Sequence, residues 1–147
     1  LRYFNIFGPR QDPNGPYAAV IPAFIRDLNS GKSPVIYGDG SQTRDFTFVE
    51  NAVQANIRAL FAENIDALNR VYNIACGEPC SVLQLFKLIA MQMKSTIQPK
   101  FETARKGDIL HSTADISLAK KFLNYDPKVS LQEGIGILLN SQSDLFE

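Results

Sequence analysis

Apolar and polar positions along the chain alternate between short extended runs and helical stripes. Leu1 to Phe4 is apolar and aromatic enough for a strand, which ends at Asn5 and the breakers Gly8 and Pro9. Gly8 to Pro16 contains Pro9, Pro13, Asn14, Gly15 and Pro16, a composition that predicts a loop. Val20, Phe24 and Leu28 repeat every four residues, so a helix is predicted from about Tyr17 to Asn29, with Pro22 near its first turn and Gly31 closing it. Val35-Ile36-Tyr37 reads as a strand bounded by the turn Gly38-Asp39-Gly40, and Asp45 to Val49 alternates as another.

From Asn51 through Ala62 the pattern is helical. Val53, Ile57, Leu60 and Phe61 line one face, while Ala52, Ala55 and Ala59 permit close packing. Arg70 to Ala75 reads as a buried strand, with Gly77 to Pro79 as its turn. Ser81-Val82-Leu83-Gln84 fits a capping box opening a helix to about Lys94. Ile97 to Phe101 is a further strand, followed by a polar loop from Glu102 to Asp108. Asp115 is placed to cap a helix ending near Asn124, where Pro127 bars continuation, and Ser130-Leu131-Gln132-Glu133 opens a final helix to about Asn140. Helices alternating with short strands, without internal repeat, low-complexity segment or linker, indicate an α/β or α+β fold.

A length of 147 residues allows one ordinary core, or two small lobes that share one. Fifteen basic residues offset fifteen acidic ones, so no basic excess points to nucleic acid or a membrane surface. The apolar runs stop well short of a membrane span, and the N-terminus is no signal peptide. Cys76 and Cys80 are too few for a disulfide framework or a four-ligand zinc site, and read as buried or semi-buried free thiols of a cytoplasmic protein. His111, alone, cannot build a metal centre, so no metal site is expected. Leu1-Arg2-Tyr3-Phe4-Asn5 has no initiating Met and reads as a strand already in progress, so a fragment or excised domain is expected.

Catalytic sets are absent. The sequence has no G-x-G-x-x-G fingerprint and no P-loop, and Ser and Cys nucleophiles lack a base. No catalytic residue is therefore assigned. Arg10, Arg44 and Arg105 each lie in a loop beside Gly or Asp, where a guanidinium can hold a phosphate through two parallel hydrogen bonds. Each can equally be a solvated charge or pair with its local Asp. Phe4, Tyr37, Phe46 and Phe48 border these loops and can stack on a base or sugar, or serve as core. Asn5 can bind a ligand or cap a turn.

Leu1-Arg2-Tyr3-Phe4-Asn5-Ile6-Phe7-Gly8-Pro9-Arg10-Gln11 resembles the R-Y-F-N-V-(Y/F)-G-P-R-Q stretch of extended short-chain dehydrogenase/reductases acting on nucleotide sugars. Asp12-Pro13-Asn14-Gly15-Pro16-Tyr17, running on to Pro22, resembles the branch of UDP-N-acetylglucosamine and UDP-glucuronic acid 4-epimerases. Gly38-Asp39-Gly40-Ser41-Gln42-Thr43-Arg44-Asp45-Phe46 is similar to G-D-G-x-x-x-R-D-(F/Y), and Tyr72-Asn73-Ile74 to a Y-N-(I/V) strand. Arg105-Lys106-Gly107-Asp108-Ile109-Leu110-His111-Ser112, with Ala114-Asp115, is similar to R-x-G-D-(V/I)-x-x-S-x-A-D. Together these motifs cover nearly the whole chain, in the family's order.

The resemblance implies that residues 1–147 are the C-terminal substrate-binding portion of such an enzyme, without its N-terminal NAD-binding half. The implied fold is the distal part of a doubly wound parallel, Rossmann-like sheet plus a small α/β lobe. The implied ligand is a UDP-sugar. Asn5 would bond the diphosphate or sugar, Ala19 and Val20 would offer backbone contacts at a helix start, and Val35, Ile36 and Tyr37 would flank the uracil. Arg44 and Arg105 would clamp the diphosphate, Asp108 a ribose hydroxyl, and Ser112 would line the uridine or sugar pocket. Tyr3 and Phe4 would lie beside the nicotinamide of NAD, which the other half mainly holds.

In this family a tyrosine takes the C4 hydroxyl proton while NAD takes the hydride and later returns it to the other face. The Y-x-x-x-K pair of that chemistry is missing: Tyr3, Tyr17, Tyr37, Tyr72 and Tyr125 all lack a lysine four residues on, so this chain is expected to be inactive alone. Ala23 and Tyr37 depart from close relatives, which carry a long basic and a smaller polar residue there. The implied function is C4 epimerisation feeding surface polysaccharide synthesis. A nucleotide-sugar 4,6-dehydratase or decarboxylase, or a non-catalytic binding domain, are the alternatives. A full-length homodimer is implied, and a monomer or non-native association for this part.

Overall fold

The structure, a computed structural model, describes residues 1–11 and 20–143. Two hydrophobic centres organise these residues, and the chain crosses between them at Asn5 and around Asp45.

The first centre holds the strand-rich lobe. Helix α1 (Val20–Asn29) buries Phe24 and Leu28 of the four-residue repeat together with Ile21 and Ile25, while Val20 is half-buried. It packs on α3 (Val82–Gln92) through an edge-to-face pair of Phe24 and Phe86, with centroids 5.8 Å apart. Helix α5 (Leu131–Ser143) adds Ile135 and Leu138 from the other side of α3. Both predicted capping boxes form. Ser81 and Gln84 exchange bonds at α3, and Ser130 and Glu133 do the same at α5. Gly31, at φ +67°, closes α1 as expected. The predicted start of α1 at Tyr17 lies outside the described residues.

The second centre lies under α2 (Val49–Leu60) and α4 (Ser117–Leu123), around Ile74, Ala75, Ala119 and Tyr125. Here β1 (Arg2–Tyr3) runs parallel to β6 (Asn73–Ile74), while β2 (Ile6–Phe7) leaves to run parallel to β5 (Thr47–Phe48). Asn5 makes that switch with φ +37°, a left-handed conformation that Asn tolerates better than most residues.

Two further pairings build the lobe. Strand β3 (Val35–Tyr37) runs parallel to β8 (Lys100–Glu102). Strand β4 (Thr43–Asp45) is central, antiparallel to β7 (Pro79–Ser81) and parallel to β9 (His111–Ser112). The architecture is α/β with mostly parallel pairing, as the sequence implies.

The shared face of Val53, Ile57 and Leu60 on α2, with Phe61 at its C-cap, points outward at 51%, 53%, 76% and 73% exposure, and Ala52 and Ala55 pack closely on the core as read. Several other expectations are corrected. The extended run predicted from Asp45 to Val49 breaks at Phe46, and α2 begins at Val49 because Phe48 is its N-cap. The strands predicted from Arg70 and Ile97 shrink to Asn73–Ile74 and Lys100–Glu102. Asp115 does not take the cap position of α4, which is Ile116; its carboxylate instead accepts from the Ser117 N–H at 2.8 Å. No helix among the described residues is long and apolar enough to cross a membrane.

Candidate ligand site

A cavity of about 270 Å³ opens where β3, β4, the start of α1 and the loop after β8 meet. Strand pairing explains how distant sequence arrives there. β3 and β8 end together at Tyr37 and Glu102, with the Gly38 N–H donating to the Glu102 carbonyl at 2.8 Å. The chain leaving β8 is thereby held beside Tyr37, and Arg105 places its guanidinium carbon 3.8 Å from the centre of the Tyr37 ring. A turn then forms, the Asp108 N–H donating to the Arg105 carbonyl at 3.2 Å, with Gly107 at φ +85°. That positive φ suits glycine and suits almost nothing else.

Arg44 sits in the middle of β4, opposite Cys80 on one side and Ser112 on the other. Its Nη1 donates to the carbonyls of Thr43 (2.8 Å) and Ile109 (2.5 Å), and its Nη2 to the Asp108 carboxylate (2.5 Å). Three of the five guanidinium N–H groups are thus used to fix the side chain, which leaves the others for a ligand. The charged residues lining the cavity are Arg44, Arg105 and Asp108, an excess of one positive charge. A small anion with several oxygens matches that set, since it satisfies both arginines without burying a lone charge.

Of the residues named from sequence, Asn5, Val20, Val35, Ile36, Tyr37, Arg44, Arg105 and Asp108 line this one cavity. Ala19 lies outside the described residues. Ser112 is half-buried beside Arg44 but does not line the cavity. Tyr3 and Phe4 lie elsewhere: Tyr3 donates through its hydroxyl to the Asn56 side chain at 2.9 Å, and Phe4 packs on the second centre. The Asn5 amide donates to the Asp45 carbonyl at 3.0 Å, so its nitrogen has a structural task as well.

Phe46, one of the aromatics expected to stack on a ligand or serve as core, lines the cavity, and so does Gln42, which the sequence does not single out. Buried Gln42 donates from Nε2 to the Tyr37 carbonyl at 2.8 Å and so fixes the end of β3. The available signal was a lone amide inside the Gly40-to-Phe46 motif. Behind the cavity, fully buried Asp45 accepts from the N–H groups of Cys76 (3.0 Å), Gly77 (3.0 Å) and Ala114 (3.3 Å). One carboxylate therefore ties β4 to the loops after β6 and β9. Burial, aided by the nearby charges of Asp45 and Glu78, pushes the Cys76 thiol up to about 11, which keeps it protonated and unreactive. Among the described residues no cluster of His, Cys, Asp and Glu suits a metal.

The NAD dependent epimerase/dehydratase family model matches residues 1–75. The chain belongs to that family. A UDP-N-acetylglucosamine 4-epimerase from Methanobrevibacter ruminantium, solved with UDP-N-acetylmuramic acid, superposes with a TM-score of 0.89 at 41% identity, over 98% of this chain and 45% of that one. A UDP-glucose 4-epimerase of Mycolicibacterium smegmatis is 37% identical over 131 residues, 89% of this chain and 41% of that protein. A UDP-N-acetyl-alpha-D-glucosaminuronate decarboxylase of Bacillus cytotoxicus is 35% identical over 92% of this chain and 43% of that protein. The chain thus spans less than half the length of the relatives it matches.

A dinucleotide does not fit the residues in hand as a complete site. The sequence lacks a glycine-rich phosphate loop, and Tyr3 and Phe4 offer only an aromatic edge outside the cavity.

Proposed function

We propose that this chain is the C-terminal, UDP-sugar-binding portion of an NAD-dependent 4-epimerase acting on an N-acetylated or uronic acid sugar. One observation carries the reading: Arg44 and Arg105, far apart in sequence, line a single cavity of net positive charge. In this reading the two guanidinium groups hold the diphosphate, Arg44 through the N–H groups that Thr43, Ile109 and Asp108 leave over. The base lies along Val35, Ile36 and Tyr37, Asp108 takes a ribose hydroxyl, and Asn5 with Val20 meets the diphosphate or sugar end. Ala19 would offer the same ligand a backbone contact, Ser112 stands beside Arg44 outside the cavity lining, and Tyr3 and Phe4 would lie on the nicotinamide side.

This chain's residues bind and orient; the proton and hydride steps belong to a part of the enzyme that carries the tyrosine–lysine pair. The decarboxylase among the relatives supports a second reading, in which the same cleft serves a decarboxylase.

Calorimetric titration with UDP and with UMP tests the diphosphate clamp. Charge-assisted hydrogen bonds of about 1.5–3 kcal/mol predict UDP tighter by roughly 10–150-fold. Arg44→Ala should erase most of that margin. Equal affinity for UDP and UMP would sink the reading.

A further inference from the structure

We propose that Tyr37 is a positioning residue for Arg105. Its ring holds the guanidinium at the cavity with the N–H edge free, so Tyr37 strengthens diphosphate binding without touching a phosphate. The proposal rests on the reading of this cavity as a UDP-sugar site.

The two arginines are held in opposite ways. Arg44 is fixed by hydrogen bonds to Thr43, Ile109 and Asp108. Asp108 is thereby committed to Arg44, and Arg105 has no ion pair among the described residues. Arg105 is an exposed residue of a polar loop, and the Tyr37 ring is what fixes its head group. With the guanidinium carbon 3.8 Å from the ring centre, an edge-on approach has no room and the two planes stack. Stacking occupies the flat face and leaves the N–H groups, which lie in the plane, pointing outward to acceptors. A bidentate carboxylate partner would have consumed part of that edge.

The platform is rigid where Arg105 is not. Tyr37 ends β3 in register with Glu102, and its carbonyl accepts from buried Gln42 at 2.8 Å. The next N–H, of Gly38, donates to the Glu102 carbonyl at 2.8 Å. The Arg105 backbone is tied down as well. Its carbonyl accepts from the Asp108 N–H, and the Asp108 carboxylate is held by Arg44. Both Tyr37 and Arg105 line the cavity. A long side chain fixed at its backbone and at its head loses less freedom when a ligand arrives, and the smaller loss appears as affinity. For an exposed stack the effect is roughly 2–5-fold in binding.

Calorimetric titration of residues 1–147 with UDP and with UMP tests this, the ratio of the two affinities being the readout. The ligands share base and ribose, so a loosened base pocket cancels in the ratio, whereas a misplaced phosphate arm does not. Tyr37→Leu should shrink the ratio roughly 2–5-fold. Tyr37→Phe, which keeps a ring, should restore it. With Arg105→Ala already in place, Tyr37→Leu should change the ratio no further. Nuclear magnetic resonance of the free protein reads the geometry without ligand: the Arg105 side-chain protons should be shifted upfield by the ring, and Tyr37→Leu should abolish that shift. An unchanged ratio in Tyr37→Leu, a failure of Tyr37→Phe to restore it, or an undiminished loss in the Arg105→Ala background would each overturn the proposal. A larger ratio in Tyr37→Leu would too, since the ring would then be holding the guanidinium away from the phosphates. A parent protein that binds UDP and UMP equally counts instead against the diphosphate reading, and takes the proposal with it.

Discussion

Asp45 is the most informative single position for the integrity of the fold. Its side chain is fully buried and accepts three backbone N–H groups from two distant loops, at 3.0, 3.0 and 3.3 Å. A hydrogen bond to a charged acceptor contributes about 1.5–3 kcal/mol, and an orphaned buried donor costs about 1–3 kcal/mol. The three act on one group and do not add, so Asp45→Ala is expected to cost about 3–5 kcal/mol. Asp45→Asn keeps the shape but turns its NH2 toward a backbone N–H whichever way the amide is set. It should still cost about 2–4 kcal/mol. Urea unfolding followed by circular dichroism reads both losses as a lower midpoint at unchanged slope. UDP affinity should fall in parallel, because β4 carries Arg44 next to Asp45. An Asp45→Ala protein within about 1 kcal/mol of the parent would refute the reasoning.

Two other perturbations discriminate. A Cβ at Gly134 of α5 would stand 2.8 Å from Phe48 and 2.9 Å from Phe7, both rings buried in the first centre. Gly134→Ala should therefore destabilise, its helix-propensity gain of up to about 1 kcal/mol outweighed by an overpacking cost of about 1–3 kcal/mol. A higher melting temperature would contradict that packing. Cys76 gives a pH signature: its thiol is held above its ordinary value, so folding favours the neutral form. The contribution is present below about pH 9 and is lost as pH rises toward about 11, a slope that Cys76→Ala should remove.

Legibility in the sequence followed the range of the interactions. Capping boxes need only four consecutive residues, and both, at Ser81 and Ser130, formed as read. The strand Val35–Tyr37 had breakers on both sides and kept its bounds. For α2, periodicity identified which residues share a face but cannot say which way that face turns. Val53, Ile57 and Leu60 turn outward, while Ala52 and Ala55, read as permitting close packing, face the core. Strand β9 escaped notice because it is two residues long and exists only through its pairing with Thr43 and Arg44. The role of Asp45 was invisible for the same reason, since its donors lie 31, 32 and 69 residues away. Arg44 and Arg105 stood out in their loop motifs and line one cavity, whereas Gln42 was silent because its partner is a backbone carbonyl.

The central claim is most directly tested by a crystal structure of residues 1–147 soaked with UDP. The account predicts the two phosphates between the Arg44 and Arg105 guanidinium groups, with the uracil along β3. Uridine diphosphate bound outside this cavity, or bound in it with neither arginine within hydrogen-bonding distance of a phosphate oxygen, would contradict it.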